Sequence, residues 1–476
     1  MTEVAVIGAG PAGMTASYVL AKNGVPVHLY EASAQVGGMA RSIELWGQIV
    51  DIGPHRFFTG DARVNALWLE LAGKDYEMVD RLTRIFFRNK FYRYPIQVGN
   101  VLRNLGVAES ALCVASYVWW RLKPGGRDLG DTFESWVTAR FGKRLYGHFF
   151  KTYTEKLWGI PGSELSSEFA AQRIGGLSLW EAVKHAVLPG TRHDHKTLVD
   201  QFAYPSHGSG QIYERMRDHV EAQGGTVHLR TPVHSLVTSG TTVTGVRLAS
   251  GEVCEYDEVI SSMPLTLLVD RFADVPPEVA AAGRSLEFRN TLLVYLLVDA
   301  DRIFPDNWIY VHSTELRTGR ITNFRNWVPT INRGRKETIL AMEYWSFDGD
   351  DCWHWADERH IELAKLEIVK TGLVEAAQIK DGAVVRVPRC YPVYRRDYRQ
   401  DLAIVEDFLR GYDNLQVIGR YGAFKYNNQD HSILMGILAA NNIIDGAPKQ
   451  DLWNINSDYD YQESSLITQT GLVKNA

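Results

Sequence analysis

Cysteine is scarce in this chain of 476 residues and never occurs as a close pair. The four cysteines, Cys113, Cys254, Cys352 and Cys390, lie far apart, and no Cys-x-x-Cys spacing occurs. Closely spaced cysteines are the usual mark of a structural zinc site or of a disulfide framework. The sequence therefore predicts no metal site and no disulfide bonds, which suits a reducing cytosol.

Long apolar runs are missing as well. The longest, residues 111–120, falls far short of the roughly 20 residues that a membrane-spanning helix needs, so we expect a buried or interfacial helix there. The N-terminus enters an apolar segment at once, without a basic region or a cleavage site, and we expect no signal peptide. These features predict a soluble cytoplasmic protein without a membrane span.

A large excess of charge is also absent. The chain has 51 basic and 56 acidic residues and a formal net charge of -5, which offers no general attraction to nucleic acid or to acidic membranes. Its hydrophobic content of 45% and charged content of 22% are those of an ordinary globular protein. The length allows about two to four domains, and we expect no nucleic-acid partner.

The first motif present is a glycine-rich turn. Residues 4–7 form a continuous apolar run, as expected for a strand buried on both faces. Gly8, Gly10 and Gly13 follow it as G-x-G-x-x-G. In such a turn Gly8 makes the bend, Gly10 lets the backbone approach a pyrophosphate, and Gly13 lets helix and strand pack closely. The next helix would offer its unpaired N–H groups to the phosphates.

A second strand completes this unit. Gly24 ends the helical pattern, and residues 25–30 form an apolar strand that leads into Glu31. A carboxylate at this place can accept a hydrogen bond from a ribose hydroxyl. Strand, turn, helix, second strand and acid occur in the order that a dinucleotide-binding unit requires, so the sequence predicts one here.

The segment that follows favours FAD over NAD. Gly37, Gly38 and Arg41, in GGMARS, resemble the segment along the pyrophosphate and flavin in the amine-oxidase-like FAD superfamily. An NAD domain normally continues directly into another helix. His55 lies in a Gly-Pro-His turn of DIGPHRFFTGD, from which its side chain could reach the flavin. Taken alone, a histidine in a turn is more often structural.

Two distant segments would complete the FAD-binding domain. Residues 226–264 alternate as strands do, and Val233, in Thr-Pro-Val, occupies the usual place for a backbone contact with adenine in FAD folds. Residues 414–444 predict a strand, a glycine turn and a helix that begins near Asp430. Asp430 or Ser432 could cap that helix, and its positive end would face the flavin.

The fold class predicted is α/β, with a discontinuous Rossmann-like FAD-binding domain, an inserted helical region and an antiparallel β-sheet substrate domain. The FAD-binding domain takes residues 1–80, 204–285 and 388–446. Residues 81–203 supply a helical substrate-cleft region that begins with a hairpin at residues 85–97, with its turn at residues 89–90. Its arginines could suggest a nucleic-acid patch, although a hairpin edge is the simpler interpretation. Residues 286–387 form the sheet domain and residues 447–476 a tail.

The order of motifs resembles the UDP-galactopyranose mutase family, within the FAD superfamily that also holds amine oxidases and protoporphyrinogen oxidases. Three segments carry the resemblance: YTEKLWG at residues 153–159, CYPVY at residues 390–394 and GRYGAFKYNNQDHSI at residues 419–433. The glycine motifs are shared across the superfamily, whereas YTEKLWG is far more specific. The resemblance extends to about residue 446.

The resemblance implies roles for particular residues. Tyr153 and Trp158 would line a nucleotide and sugar pocket, and Arg320 would grip the substrate pyrophosphate. Tyr391 and Tyr426 would donate phenolic hydrogen bonds to the same phosphates. For Tyr153 and Trp158 the alternative is core packing, and for Arg320 it is a structural salt bridge. Glu155 and Lys156, between the aromatic residues, are expected to form an ion pair.

Further implied residues lie at the flavin or depart from the family pattern. Gly419 and Arg420 would sit beside the flavin. Arg173 matches the first arginine of the family's R-I-P-V-R stretch and is a catalytic candidate with His55 and Arg320. The second arginine of that stretch is replaced by Leu177 here. The family's Tyr-Tyr-Asp becomes Tyr-Asn-Asn, with Asn427 as a candidate substrate contact. The lost arginine weakens the expected diphosphate grip.

The resemblance implies a redox-neutral reaction, in which N5 of reduced FAD attacks the anomeric carbon of a nucleotide diphosphate sugar and pyranose and furanose forms interconvert. NAD(P)H could be the electron donor. G-x-S-x-G, H-E-x-x-H and Cys–His motifs are absent, as expected if the cofactor carries the chemistry. The alternative is an FAD-dependent oxidoreductase acting on an amine, a porphyrinogen-like ring or a natural-product intermediate, which Leu177 favours. A binding protein that has lost its flavin fits the intact glycine motifs poorly.

Overall fold

The computed structural model describes residues 2–94, 98–125, 128–168, 201–446 and 449–455. One sheet has five strands, in the spatial order Leu415–Val417, Glu258–Ser261, Val4–Ile7, Val27–Tyr30 and Thr226–His228. All neighbouring strands run parallel. Three distant stretches of chain therefore build a single sheet, and the predicted α/β fold class is confirmed.

Helices cover this sheet, as an all-parallel sheet requires. Four of them pack against one another: Pro11–Lys22, Ala62–Ala72, Gly210–Ala222 and Gln429–Ile444. The first and the last approach closely, because a Cβ atom added to Gly436 would lie 2.4 Å from the carbonyl oxygen of Ala12. This contact brings the two ends of the described chain to the glycine turn.

A second, larger sheet has seven strands. In spatial order they are Ile379–Pro392, Phe288–Val298, Thr338–Ser346, Arg320–Asn323, Trp308–Val311, Thr83–Phe87 and Lys90–Arg93. All neighbours are antiparallel except Trp308–Val311 with Thr83–Phe87. The hairpin at residues 83–93 thus extends the sheet predicted for residues 286–387, so that sheet crosses a predicted domain boundary. The boundaries themselves stay predictions.

The hairpin turn lies one residue earlier than predicted. Arg88 and Asn89 form the two-residue loop, with φ of 50° and 56°, and Phe87 pairs with Lys90. Two successive left-handed residues define the turn type that best matches the twist of paired strands. Because Lys90 already belongs to the second strand, the predicted turn at residues 89–90 is wrong.

The remaining elements are smaller. A three-stranded antiparallel sheet comprises Val233–Ser239, Thr242–Leu248 and Val253–Glu255, and two-stranded ribbons pair Ser42–Leu45 with Gln48–Asp51 and Tyr76–Asp80 with Gln201–Pro205. The other α-helices in the described residues are Val98–Leu105, Val107–Leu122, Phe133–Phe141, Lys143–Leu145, Lys151–Trp158, Leu265–Val269, Pro277–Ser285, Asp357–Lys370, Tyr398–Arg410 and Gly419–Gly422. Among the described residues, no helix has the length and apolar character to cross a bilayer.

The structure excludes burial, one of the two placements expected for residues 111–120, and corrects the expected cap of the last long helix. The apolar run at residues 111–120 lies in the helix Val107–Leu122, but Val118 and Trp119 are 44% and 67% exposed, so burial of that run is excluded. The last long helix begins at Gln429, and its N-cap is Asn428 rather than Asp430 or Ser432. Asn428 caps it because its side chain and that of His431 bond each other's backbone N–H groups in a capping box.

Candidate cofactor site and aromatic cleft

The glycine turn leaves room for a ligand on its outer side. A Cβ atom added to Gly13 would lie 1.9 Å from the carbonyl oxygen of Gly8, which has a φ of 95°. Both positions therefore require glycine. Gly10 has an ordinary φ of -71°, and a Cβ there would meet no protein atom within 4 Å. The helix that starts at Pro11 directs its first N–H groups into this open space, where phosphate oxygens fit.

Glu31 is held at the edge of the turn. Its Oε2 accepts a 2.8 Å hydrogen bond from the N–H of Ala9, and its Oε1 accepts a 2.7 Å bond from Ser33. The carbonyl oxygen of Glu31 accepts from the N–H of Thr231, two residues before the buried Val233. A carboxylate has lone pairs beyond these two bonds, so ribose and adenine contacts can be made at neighbouring positions.

The second glycine pair closes over the first turn. Gly37 donates a 2.7 Å hydrogen bond to the carbonyl oxygen of Ala9. Gly38 has a φ of 53°, and a Cβ on it would lie 2.9 Å from the Cα atom of Gly10. Arg41 donates from Nη1 to the carbonyl oxygen of Gly38 at 2.9 Å. The three predicted cofactor residues 37, 38 and 41 therefore lie beside the glycine turn.

Gly419 and Ser432 reach the same region from the C-terminal side. Gly419 has a φ of 83°, and a Cβ on it would lie 3.0 Å from the Cβ atom of Ala12. Ser432 is buried in the first turn of its helix, where its N–H donates to the carbonyl oxygen of Asn428. A large group lying along the first helix would meet both segments.

His55 lies in the turn beside this space, near Arg320 and Arg420. Its Nδ1 is buried and makes no hydrogen bond of normal geometry among the described residues. Its carbonyl oxygen accepts from the hydroxyl of Ser209 at 2.8 Å, which fixes the turn. Burial, together with the positive charges of Arg320 and Arg420, lowers the pKa of His55 to about 3. The imidazole is therefore neutral at physiological pH.

The residues present thus fit a flavin adenine dinucleotide. Open space at Gly10 suits a pyrophosphate, the Glu31 carboxylate suits a ribose, and the unsatisfied Nδ1 of His55 suits a polar ring. Their roles as cofactor contacts stay predictions, as do those of Gly8, Gly13, Val233 and Ser432.

Aromatic rings cluster next to this site, in a group that we call the aromatic cleft. The rings of Tyr391 and Tyr426 stack with centroids 5.5 Å apart and planes inclined by 23°. Trp158 lies 6.2 Å from the first ring and 5.9 Å from the second, but it is 0% exposed, so the core packing weighed as the alternative describes it. Trp345 extends the row, 6.3 Å from Tyr391 and 5.9 Å from Tyr153. The structure therefore brings together the four aromatic residues predicted for the substrate pocket.

Arg420 is fixed against two of these rings. Its guanidinium carbon lies 4.8 Å from the centroid of Tyr391 and 4.4 Å from that of Tyr426. The side chain donates from Nε to the carbonyl oxygen of Cys390 at 2.9 Å and from Nη1 to that of Asn427 at 2.8 Å. Neutral carbonyl partners hold the cation without neutralising it, so its charge stays available to an anion in the cleft.

Arg320, unlike Arg420, is paired with a carboxylate. It pairs with Glu343 across adjacent strands, with Nε 2.6 Å from Oε1 and a second bond from Nη2 to Oε2. Burial opposes the charge of Arg320, but the Glu343 carboxylate raises the pKa of Arg320 well above its usual value. This is the salt bridge that sequence reasoning weighed as the alternative to a phosphate contact. Glu343 itself is only 1% exposed.

Lys156 anchors the cleft helix, Lys151–Trp158, to the large sheet. Its Nζ donates to the carbonyl oxygens of Val311, Ser313 and Thr318 at 3.1, 2.7 and 3.1 Å. Burial lowers the pKa of Lys156 to about 8. The expected ion pair is replaced by this clamp, so the lysine of YTEKLWG fixes the aromatic residues on either side of it.

Several candidate residues remain apart from the cleft. Asn427 is 2% exposed, and its Nδ2 lies 3.3 Å from the sulfur of Met435, so its side chain points into the protein. Its substrate contact stays a prediction. Arg173 and Leu177 lie outside the described residues. Sequence reasoning missed Trp345, which no motif marks and which only the register of the large sheet brings to the cleft.

A possible metal-ligand group occurs elsewhere in the described chain. Single ligand atoms of Glu109, Cys113 and His148 lie within 4.8 Å of one another. Arg144 binds both carboxylate oxygens of Glu109, at 2.6 and 2.8 Å. A guanidinium cation at that distance opposes the entry of a metal cation.

The parallel sheet, the glycine turn and the space beside it define a flavin-dependent enzyme. Residues 11–444 match the family of flavin containing amine oxidoreductases, and the chain belongs to that family. The resemblance of the sequence to mutase-like flavoproteins agrees with the fold of a solved structure.

The fold is similar to that of reduced UDP-galactopyranose mutase, with a TM-score of 0.84 at 20% identity over 97% of this chain and 99% of that one. Wild-type putrescine oxidase bound to putrescine is similar at a TM-score of 0.62 and 16% identity, over 93% and 99% of the two chains. At these identities the likeness concerns the fold.

Curated relatives in sequence are distant. The zeta-carotene-forming phytoene desaturase of Myxococcus xanthus is 23% identical over 332 residues, which are 64% of this chain and 61% of the desaturase. The coproporphyrinogen III oxidase of Mycobacterium tuberculosis (strain ATCC 25618 / H37Rv) is 23% identical over 322 residues, which are 63% and 67% of the two chains. The match thus spans about two thirds or less of these relatives.

Proposed function

We propose that this protein is a flavin-dependent mutase that interconverts the pyranose and furanose forms of a nucleotide-linked sugar. The observation that carries the proposal is the placement of Arg420 against Tyr391 and Tyr426, in an aromatic cleft beside the glycine turn. Cation and phenols together suit a diphosphate, and flat rings suit a base or a sugar face. The fold similarity to UDP-galactopyranose mutase supports the same function.

Reduced FAD, bound along Gly8, Gly10 and Gly13, would supply a nucleophilic nitrogen. The rest of the task falls to the protein. The bond from the anomeric carbon to the diphosphate breaks and later re-forms, so the protein must retain the free diphosphate in the meantime. Arg420 suits this role because a guanidinium pairs with two oxygens at once. Electrons are neither gained nor lost in the net reaction.

The aromatic residues would hold the remaining parts of the substrate. The hydroxyls of Tyr391 and Tyr426 donate to phosphate oxygens, while the ring of Tyr153 covers the sugar or the base and excludes water. Trp158, which is 0% exposed, supports these rings from the core. The neutral imidazole of His55 can donate or accept one hydrogen bond at the flavin but carries no charge to stabilise an anion.

One observation favours a different reaction. Arg320, the residue expected to grip the pyrophosphate, is already neutralised by Glu343, so a diphosphate would gain little from it. A substrate without phosphates would need only the aromatic cleft. Two distant relatives are named as a phytoene desaturase and a coproporphyrinogen III oxidase. The second candidate is therefore an FAD-dependent oxidoreductase acting on an apolar or cyclic small molecule.

The test is anaerobic turnover of a panel of nucleotide-linked hexoses. The flavoprotein is supplied either oxidised or chemically reduced, and products are separated by chromatography and weighed by mass spectrometry. We expect an isomer of unchanged mass from the reduced protein only. If no panel member is isomerised, and oxygen rapidly reoxidises the reduced flavin, the oxidoreductase replaces the mutase.

A further inference from the structure

The helix Val107–Leu122 exposes an almost wholly apolar face, which we call the apolar face. Ten residues of the helix are exposed, and all but Arg121 are apolar. The nine apolar residues are Val107, Ala108, Ala111, Leu112, Val114, Ala115, Val118, Trp119 and Leu122. The largest exposures are 78% for Val107, 76% for Leu122 and 67% for Trp119. At 100° per residue these positions form one continuous stripe.

The opposite face of the same helix is turned toward the protein and is mixed, with Glu109, Ser110 and Ser116 beside Cys113, Tyr117 and Trp120. Glu109 binds Arg144 and His148, with 2.6 Å from Oε1 to the arginine Nε and to the histidine Nε2. The hydroxyl of Ser110 donates to the carbonyl oxygen of Gly106, and that of Ser116 accepts from the N–H of Arg144. A surface helix normally places its apolar stripe inward. This helix has the reverse orientation.

Basic residues flank the apolar face in the sequence. Residues 88–123 contain six basic residues and one acidic residue, Glu109, although the whole chain has a net charge of -5. The six are Arg88, Lys90, Arg93, Arg103, Arg121 and Lys123, and all of them are exposed. Glu109 is already paired on the inner side. This region is therefore locally cationic, which the net charge conceals.

We propose that the apolar face docks onto the surface of an anionic lipid bilayer, with the helix lying in the interface. An in-plane helix buries its apolar residues in the outer part of the bilayer, while lysine and arginine attract anionic headgroups. A tryptophan at the apolar–polar boundary is typical of such helices. At 16 residues the helix is too short to cross a bilayer.

A second copy of the chain is a less suitable occupant. A symmetric dimer through this face would bring the basic residues of one copy close to the same residues of the other. Like charges at an interface repel. A bilayer provides the opposite charge. Docking depends on this helix and its basic neighbours, and is independent of the reaction at the cleft.

Docking would also orient the cleft. The inner side of the helix packs against Phe133–Phe141 and Lys143–Leu145, and the chain continues through a π-helical turn, Tyr146–Phe150, into the cleft helix. The docking surface and the aromatic cleft are thus joined by one continuous helical region.

The experiment is flotation of the full-length flavoprotein with lipid vesicles. We expect binding to mixed phosphatidylcholine–phosphatidylglycerol vesicles, weaker binding to phosphatidylcholine alone, and a decrease at high salt. The combined variant Leu112→Gln, Trp119→Gln and Leu122→Gln should reduce partitioning at least about tenfold. The pair Arg103→Glu and Lys123→Glu should abolish the preference for the anionic lipid.

Leu366→Gln provides the matched control, because Leu366 is 62% exposed on a helix elsewhere. It should bind vesicles as the wild type does, and all variants should keep wild-type flavin absorbance. Failure of the wild type to float with any vesicle would overturn the proposal. So would a dimer, measured by light scattering, that the triple variant converts to monomer without any vesicle binding.

Discussion

Lys156 carries a positive charge that the fold tolerates only because three carbonyl oxygens surround it. Burial lowers its pKa from 10.5 to about 8. Above about pH 8 the folded protein gives up this proton, whereas the unfolded chain keeps it until about pH 10.5. Stability rises with pH wherever the unfolded state binds more protons. This one group therefore makes the free energy of unfolding increase with pH in that window.

Replacing Lys156 by methionine should remove that increase. The measurement is the free energy of unfolding from denaturant titrations between about pH 7 and about pH 10. We expect the free energy of unfolding of the wild type to exceed that of Lys156→Met by a margin that grows as pH rises. Lys365→Met, at a lysine whose side chain is 34% exposed, should follow the wild type. A Lys156→Met protein with the full wild-type slope would contradict the assigned burial.

Tyr391 and Tyr426 can be tested by removing only their hydroxyls. Phenylalanine keeps the stacked rings but loses one hydrogen bond each to a charged group, worth about 1.5–3 kcal/mol. We expect kcat/KM for the nucleotide-linked sugar to fall about 10- to 100-fold per substitution, with the flavin retained. Tyr412→Phe is the control, because the ring of Tyr412 packs against Phe272 and Phe408 and not against the rings of the cleft. Unchanged kcat/KM in both variants would remove the tyrosines from the phosphate site.

Residues tied to a local motif could be predicted, whereas residues tied to a distant partner could not. The glycine triplet and Glu31 follow from spacing within one βαβ unit, and they meet in the structure. The pairing of Arg320 with Glu343 depends on the register of two strands that are separated by a loop. No sequence pattern near either residue predicts this pairing. The hydrogen bonds of Lys156 to three carbonyl oxygens cannot be predicted for the same reason.

At the scale of single elements, one substitution in the glycine turn can test cofactor binding without changing the stability of the fold. Gly10→Ala adds a Cβ that meets no protein atom, at a φ of -71° that alanine readily adopts. The protein without flavin should therefore stay as stable as the wild type. The added methyl group occupies the space assigned to the pyrophosphate, so we expect the flavin dissociation constant to rise at least about tenfold.

The comparison for that variant is Gly349→Ala, since a Cβ at Gly349 also meets nothing within 4 Å. It should bind flavin as the wild type does. The fluorescence of released flavin gives the flavin dissociation constant of both variants. Thermal unfolding of the flavin-free forms compares their stability. Tight flavin binding by Gly10→Ala would place the pyrophosphate elsewhere.

Helix and strand positions were largely predictable, but the environment of each face was not. Periodicity separates the two faces of the helix Val107–Leu122, yet it cannot tell which face meets the protein. Glu109, Ser110 and Ser116 turn inward because neighbouring groups satisfy them there. The cap at Asn428 was misplaced because Asn428, Asp430 and Ser432 are all good N-cap residues.

At the scale of the molecule, one parallel sheet assembled from three stretches supports the cofactor site, and a seven-stranded sheet carries much of the cleft. The discontinuous sheet was predictable because each stretch has its own strand and turn signals. The joining of Thr83–Phe87 to Trp308–Val311 was not, because a parallel pair between distant segments leaves no local trace.

The redox balance of turnover, measured as product formed per flavin, tests the proposed mutase most directly. The reduced flavoprotein is mixed without oxygen with the sugar nucleotide that it converts, and flavin absorbance is followed while product is counted. A mutase forms many product molecules per flavin, and the flavin stays reduced throughout. If product forms only with the oxidised protein, and one flavin becomes reduced for each product molecule, the enzyme is an oxidoreductase and the mutase proposal is wrong.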